Sequence, residues 1–408
     1  MPAEIRIIVQ LALSPRETLL SMAATTGSCG LAAFKKALNV YTTSAHSKTP
    51  AVSDHSLQNP SKRRRLDSLT ERPFDLEAES PAAIGEVGGD SKQPDSILYL
   101  AYGSNLSAET FKGKRGIRPL SAVNVVVPEL VMTFDLAGLP YIEPCFANTK
   151  YRNIDTPSPS EKSTLLSDQP PEYHKNRWRK GLVGVVYEVT REDYAHIIAT
   201  EGGGASYQDV LVDCYELSPK EDIVPEHPTS ESFKAHTLYS PVFPPGKKPP
   251  KEGGRFSRPD PDYAQASARY LKLITDGADE HALPSEYKSY LHQLRSYTMT
   301  TQSQKVGAFV FAMIWLPFIS LVFGLNNQFA DKHGRAPKWL VAVTGAIFKA
   351  MWASYDEFFY KIFGDGERTT YGDKDGDDDD EDAGGKVRRR SIRYGSIDEK
   401  GVDVHQAV

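Results

Sequence analysis

Apolar and polar positions divide the chain of 408 residues into stretches of contrasting character. Residues 97–101, ILYLA, form an apolar run that ends at Gly103-Ser104-Asn105, the pattern of a buried strand entering a tight loop. Ser107 follows as a candidate cap for an amphipathic stretch. Further β-rich runs at 122–127 and 130–136 are separated by Pro128, and 181–189, GLVGVVYEV, predicts another buried strand. Thr190 then caps a helix over 191–200, with Tyr194, Ile197 and Ile198 on one face. Three consecutive glycines at 202–204 stop it. Strands are predicted over 207–217 and 233–239, and helices over 264–276 and 284–294. No regular βαβ alternation is present. The pattern therefore predicts an α+β fold, a small mixed curled sheet or barrel with flanking helices, and not a doubly wound parallel sheet.

The flanks read differently. Residues 42–95 are rich in Ser, Pro, Lys and acids, so 1–95 is expected to be mostly disordered. Within it, Lys62-Arg63-Arg64-Arg65 reads as a solvated charge run, with a nuclear or anionic-lipid signal as the sharper alternative. Polar, Pro-rich stretches at 152–180 and 240–262 read as loop insertions in a domain spanning 96–300. Residues 306–325, VGAFVFAMIWLPFISLVFGL, carry no charge, and a helix of that length crosses a hydrocarbon core of roughly 30 Å. Membrane attachment through 306–325 is thus expected, with a kink at Pro317. Residues 339–353 predict a second membrane or interfacial helix, and 363–408 a disordered charged tail.

Composition narrows this little. A net charge of −5 gives no reason to expect nucleic acid as a ligand. Cys29, Cys145 and Cys214 form no CxxC pair, so neither a zinc site nor a disulfide framework is indicated. The short apolar stretch at 7–13, broken by Gln10, lacks the order of a secretory signal. Oligomeric state is not legible.

Specific chemistry enters with Tyr102-Gly103-Ser104-Asn105-Leu106 after an apolar strand. This loop resembles the YGSN loop of the γ-glutamylcyclotransferase-like superfamily. Residues 184–202, GVVYEVTREDYAHIIATEG, are similar to the family's strand, helix and catalytic Glu-Gly step, with Tyr207 following. Residues 270–291 resemble its C-terminal helix pair, and 143–148, EPCFAN, a block of its fungal members. Three separated blocks in order, covering roughly 96–294, are far more specific than one short loop. The departure from the YGSL-type loop of the glutathione-specific branch leaves intact glutathione a less secure substrate. The resemblance implies a fungal member that cyclises a small γ-glutamyl amide or peptide to 5-oxoproline and releases the amine, and residues 306–325 would anchor it to a membrane.

That reaction needs no metal, cofactor or protein nucleophile. The α-amine of the substrate attacks its own γ-carbonyl, so one carboxylate can take a proton from the attacking nitrogen and return one to the leaving nitrogen. By resemblance Glu201 is that group. Gly103, Ser104, Asn105 and Leu106 would offer backbone N–H groups to the substrate carboxylate and to the developing oxyanion. Tyr102, Tyr207 and Tyr270 are candidate pocket walls or hydroxyl donors, with a core tyrosine as the plainer alternative for each. A reduced substrate would place the catalytic domain on the cytosolic side of the membrane. The reading from another class is an inactive, membrane-anchored interaction protein that keeps the fold.

Overall fold

The computed structural model describes residues 57–76, 84–85, 95–152, 178–200, 207–240, 258, 264–329 and 336–369. Glu201, residues 153–177, most of 240–262, most of 1–95 and the tail from 370 lie outside the described residues.

Five strands close into a barrel. They are β1 (Ser96–Ala101), β2 (Ser121–Val127), β5 (Leu182–Thr190), β6 (Gln208–Glu216) and β7 (Ser232–Tyr239), in the order β1-β5-β2-β6-β7. All pairings are antiparallel except the closing one, a parallel contact of Tyr99 on β1 with His236 on β7. In β5 the six residues from Leu182 to Tyr187 are all buried, as a strand covered on both faces requires. The mixed α+β architecture with a curled sheet is therefore the one the apolar pattern predicts.

A separate two-stranded ribbon joins β3 (Leu130–Leu139) to β4 (Glu143–Tyr151), with a register shift between Thr133 and Leu136. No apolar alternation marks β4, EPCFANTKY, as a strand, yet its first seven residues are buried. One helix follows the expected signals closely, and the helix expected over 264–276 runs four residues later. In α2 (Arg191–Thr200) the Thr190 hydroxyl accepts the Asp193 N–H at 3.1 Å, which satisfies a first-turn donor. In α3 (Ala268–Glu280) the Ser267 hydroxyl caps the Tyr270 N–H, and α4 (Ser285–His292) comes next.

The N-terminal flank corrects the sequence reading. Residues 57–76 contain a helix, α1 (Lys62–Ser68), packed on the barrel. Arg64 is buried, donates to the Ser96 carbonyl at 2.7 Å and pairs with Glu71 at 2.7 Å. Arg65 reaches Glu216 at 2.6 Å. The second half of the Lys62–Arg65 run, Arg64 and Arg65, is thus committed to the fold and is not simply solvated.

The C-terminal flank is corrected in the same way. Helix α5 (Gln302–Phe329) turns back into α6 (Lys338–Ser354), which continues through one wide turn (Tyr355–Phe359) into α7 (Tyr360–Phe363). Residues 364–369, assigned by composition to a disordered tail, return to the barrel domain. Tyr141 N–H donates to the Gly366 carbonyl and Gln265 N–H to that of Glu367, both at 2.8 Å. Arg258 ties the junction, with its guanidinium over Trp352 at 4.1 Å, forked onto Asp356 at 2.6 and 2.8 Å, and bonded to Glu367. Burial pushes the Glu367 carboxyl up to about 7 even though Arg258 pulls the other way.

One glycine fixes where the loop after β1 sits. A Cβ added at Gly277 on α3 would lie 2.5 Å from both the backbone and the side chain of Leu106. The helix therefore crosses directly against the loop. Gly277→Ala is expected to destabilise the fold by about 1–3 kcal/mol, the range for overpacking a tight contact, as a lower denaturant midpoint at unchanged slope. An unchanged midpoint would show that the contact is slack.

Candidate active site

Strand β1 delivers the chain into a pocket at its C-terminal end. Tyr102, Gly103, Ser104 and Asn105 line it together with Tyr207 and Tyr270, so six of the seven predicted binding residues converge. Leu106 does not join them. It is fully buried against α3, and its apolar side chain anchors the loop in the core. Sequence reasoning missed Tyr99, Ala147, Thr237 and Leu238, which complete the described lining.

The local geometry explains why these residues occur here. Residues 104–106 form one 3₁₀ turn, with Leu106 N–H donating to the Gly103 carbonyl at 3.0 Å. Asn105 Nδ2 donates to the Tyr99 hydroxyl at 2.8 Å, fixing the amide within the loop. Tyr99 stacks on Phe111, which in turn stacks on Tyr187 at 4.4 Å between ring centres. The loop therefore rests on a continuous column of aromatic rings. Tyr102 is half-buried and reaches toward the Leu238 carbonyl at 3.5 Å.

The opposite wall comes from α3 and β4. The Tyr270 hydroxyl accepts the Ala147 N–H at 3.2 Å, and its ring meets Phe146 edge-on. A Cβ at Gly103 would stand 3.3 Å from that hydroxyl and 3.6 Å from the Ala147 methyl. Glycine at 103 therefore keeps open the narrow space between loop and wall. Tyr207, largely buried, stands at the foot of β6.

Among the described lining residues there are hydroxyls, one amide and backbone groups, but no carboxylate or imidazole. The segment 201–206, outside the described residues, links Thr200 at the end of α2 to Tyr207 in the pocket along the chain. Its sequence is EGGGAS, and Glu201 is its sole ionisable side chain. The four missed residues lie on strands and a ribbon far apart in sequence. For Tyr99 alone a local signal existed, its place in the apolar run four residues before Gly103.

With this geometry in place, the relatives are informative. The chain is 32% identical over 274 residues to the gamma-glutamyl cyclotransferase gliK of Aspergillus fumigatus, covering 66% of this chain and 89% of that protein. It is 29% identical over 277 residues to the gamma-glutamyl cyclotransferase aclK of Aspergillus oryzae, covering 66% and 90%. The chain belongs to the gamma-glutamyl cyclotransferase family. Residues 301–362 match the AclK C-terminal domain family, a span that coincides with α5, α6 and most of α7. A solved gamma-glutamyl cyclotransferase overlaps 52% of this chain and 96% of its own at 17% identity and a TM-score of 0.33, so the family assignment rests on the sequence relatives.

Replacing Tyr270 by Phe removes the acceptor of a buried backbone N–H, a loss of about 1–3 kcal/mol. The variant is expected to fold with a lowered midpoint and to bind γ-glutamyl compounds more weakly. Calorimetric titration checks this, and unchanged binding would remove the hydroxyl from the site.

Proposed function

We propose that the protein is a membrane-attached γ-glutamyl cyclotransferase that converts a γ-glutamyl amide or peptide to 5-oxoproline and releases the amine. The observation that carries this reading is the pocket's composition. Its described walls can hold and orient a polar ligand, and the six residues that precede Tyr207 in the sequence include a single carboxylate, Glu201. The backbone of Gly103, Ser104 and Asn105 receives the substrate α-carboxylate, where aligned peptide dipoles favour negative charge. Tyr102, Tyr207 and Tyr270 enclose the glutamyl chain, with Leu106 holding the loop from beneath.

Chemistry then follows from one acid–base group. Glu201 takes a proton from the α-ammonium, and the freed lone pair attacks the γ-carbonyl carbon to close a five-membered ring. The carbonyl oxygen becomes an oxyanion that the loop N–H groups stabilise. As the oxyanion collapses, the bond from carbon to the departing nitrogen breaks and Glu201 returns its proton to that nitrogen. The ring nitrogen sheds its second proton to the released amine, which leaves as its ammonium. A wall of hydroxyls and apolar side chains raises the basicity of such a carboxylate by excluding water.

Membrane attachment is the second part of the proposal. Residues 302–326 are long and apolar enough to cross a bilayer, and 39% of the most apolar window is buried in the protein, where a core helix would be mostly buried. Met313, Ile314, Phe318 and Leu321 on α5 are exposed, as are Trp339, Val341 and Val343 on α6. Lipid would cover them, and a reduced substrate would place the catalytic domain on the cytosolic side.

Two experiments test the two parts. Glu201→Gln keeps the size of the side chain and removes the proton carrier. It is expected to lower kcat for 5-oxoproline release by at least about a hundredfold, with substrate binding retained, and an unaltered rate would exclude the mechanism. The full chain is expected to remain on phosphatidylcholine vesicles in high salt, and Phe318→Asp with Leu321→Asp to reduce retention. Recovery of the unaltered chain in the supernatant would exclude membrane attachment.

A further inference from the structure

A row of buried ionic groups runs from the N-terminal segment to the pocket wall, and the cyclisation chemistry makes no use of it. Arg64 pairs with Glu71 at 2.7 Å, and Glu71 meets His236 Nε2 at 3.1 Å. His236 Nδ1 bonds Asp209 Oδ2 at 2.8 Å, which also accepts the Phe74 N–H at 2.7 Å. The Tyr194 hydroxyl donates to Asp209 Oδ1 at 2.7 Å. Arg64, His236, Asp209 and Tyr194 are buried and the Glu71 side chain is only 5% exposed, and the four charges alternate in sign along the row. Such an arrangement is costly to break from either end, because the remaining charge stays buried without its partner.

Three members of the row, Asp209, His236 and Tyr194, adjoin lining residues. Asp209 is two residues after Tyr207 on β6. His236 precedes Thr237 and Leu238 on β7 and pairs in register with Tyr99. The Tyr194 ring lies 5.9 Å from that of Tyr99, whose hydroxyl holds Asn105. The bond from Tyr194 to Asp209 also joins the helix before residues 201–206 to the strand after them.

We propose that Glu71, His236 and Asp209 are positioning residues, a relay through which the docked N-terminal segment holds Tyr99, Tyr207 and Thr237 in the geometry the pocket requires. The proposal rests on the pocket being the γ-glutamyl site. It makes residues 57–76 part of the catalytic unit.

Titration supports the same reading. Burial works against the His236 charge, yet Asp209 and Glu71 together push its pKa up to about 9 from 6.5. Burial likewise opposes ionisation of Glu71, but His236 and Arg64 hold its pKa below the usual value. The groups around the imidazole are Glu71 and Arg64 from the N-terminal segment, Asp209 from β6 and the Tyr194 hydroxyl from α2. Arg191 lies beyond Phe74 at 5.5 Å from its ring. His236 is raised, so its contribution is complete below about 6.5 and is lost as pH rises through about 9. Glu71 is depressed, so its contribution is present above 4.5 and is lost as pH falls below it.

The test uses the full chain with Glu71→Gln and, separately, His236→Gln. The second keeps the Arg64–Glu71 pair that docks α1, should the first fold poorly. Hydrogen exchange at neutral pH is expected to rise about tenfold at residues 207–212 and 97–106, the scale of one charge-assisted hydrogen bond. The alkaline limb of kcat/KM for 5-oxoproline release is expected to move to lower pH by about one unit in Glu71→Gln, since one of two carboxylates holding the imidazole charge is gone. Faster exchange confined to 57–76 with an unmoved pH profile would overturn the relay and leave the segment as a brace only. Absence of 5-oxoproline from the unaltered chain would instead overturn the γ-glutamyl reading, while the exchange pattern still decides whether the relay reaches the pocket wall.

Discussion

Closure of the barrel at β1 is the constraint on which the rest depends. This strand is paired on one edge with β5 and on the other with β7, so its exit point cannot drift. The chain leaves it at Tyr102 and is at once pinned by Leu106, seated against Gly277 where α3 comes into van der Waals contact. Between two fixed points only a few residues remain, and they form the 3₁₀ turn that faces the pocket. The site is thus a short backbone segment held from both ends, the preorganisation that anion recognition by peptide groups requires.

Much of this was legible in the sequence. The runs at 97–101 and 181–189 are apolar enough to predict buried strands, and Thr190 with its acidic first turn predicted the cap of α2. Six of seven expected binding residues share one pocket: Tyr102 to Asn105 follow one another directly after β1, and Tyr207 and Tyr270 reach it from the foot of β6 and from α3. Leu106 fell outside it for a plain reason. An apolar side chain in a polar motif gains more from the core than from the ligand.

The unread parts share one physical cause. Composition assigns a polar segment to solvent because it cannot see partners far away in the chain. Arg64 is satisfied by Ser96, Arg65 by Glu216, and Arg258 by Asp356 and Glu367. Each of those pairings offsets desolvation that a local window counts in full. Strand β4 escaped notice for a related reason, since Glu143 is buried only by virtue of Arg269 at 2.7 Å and the Ser267 N–H. Ala147, Thr237 and Leu238 joined the pocket through tertiary placement alone.

A structure of the full chain with a bound, non-cyclisable γ-glutamyl analogue tests the account most directly. The account predicts the α-carboxylate on the backbone of Gly103 to Asn105, the side chain between Tyr102, Tyr207 and Tyr270, and the α-amino group within hydrogen-bond reach of Glu201. An analogue bound elsewhere, or in this pocket with its amino group turned away from Glu201, would contradict it.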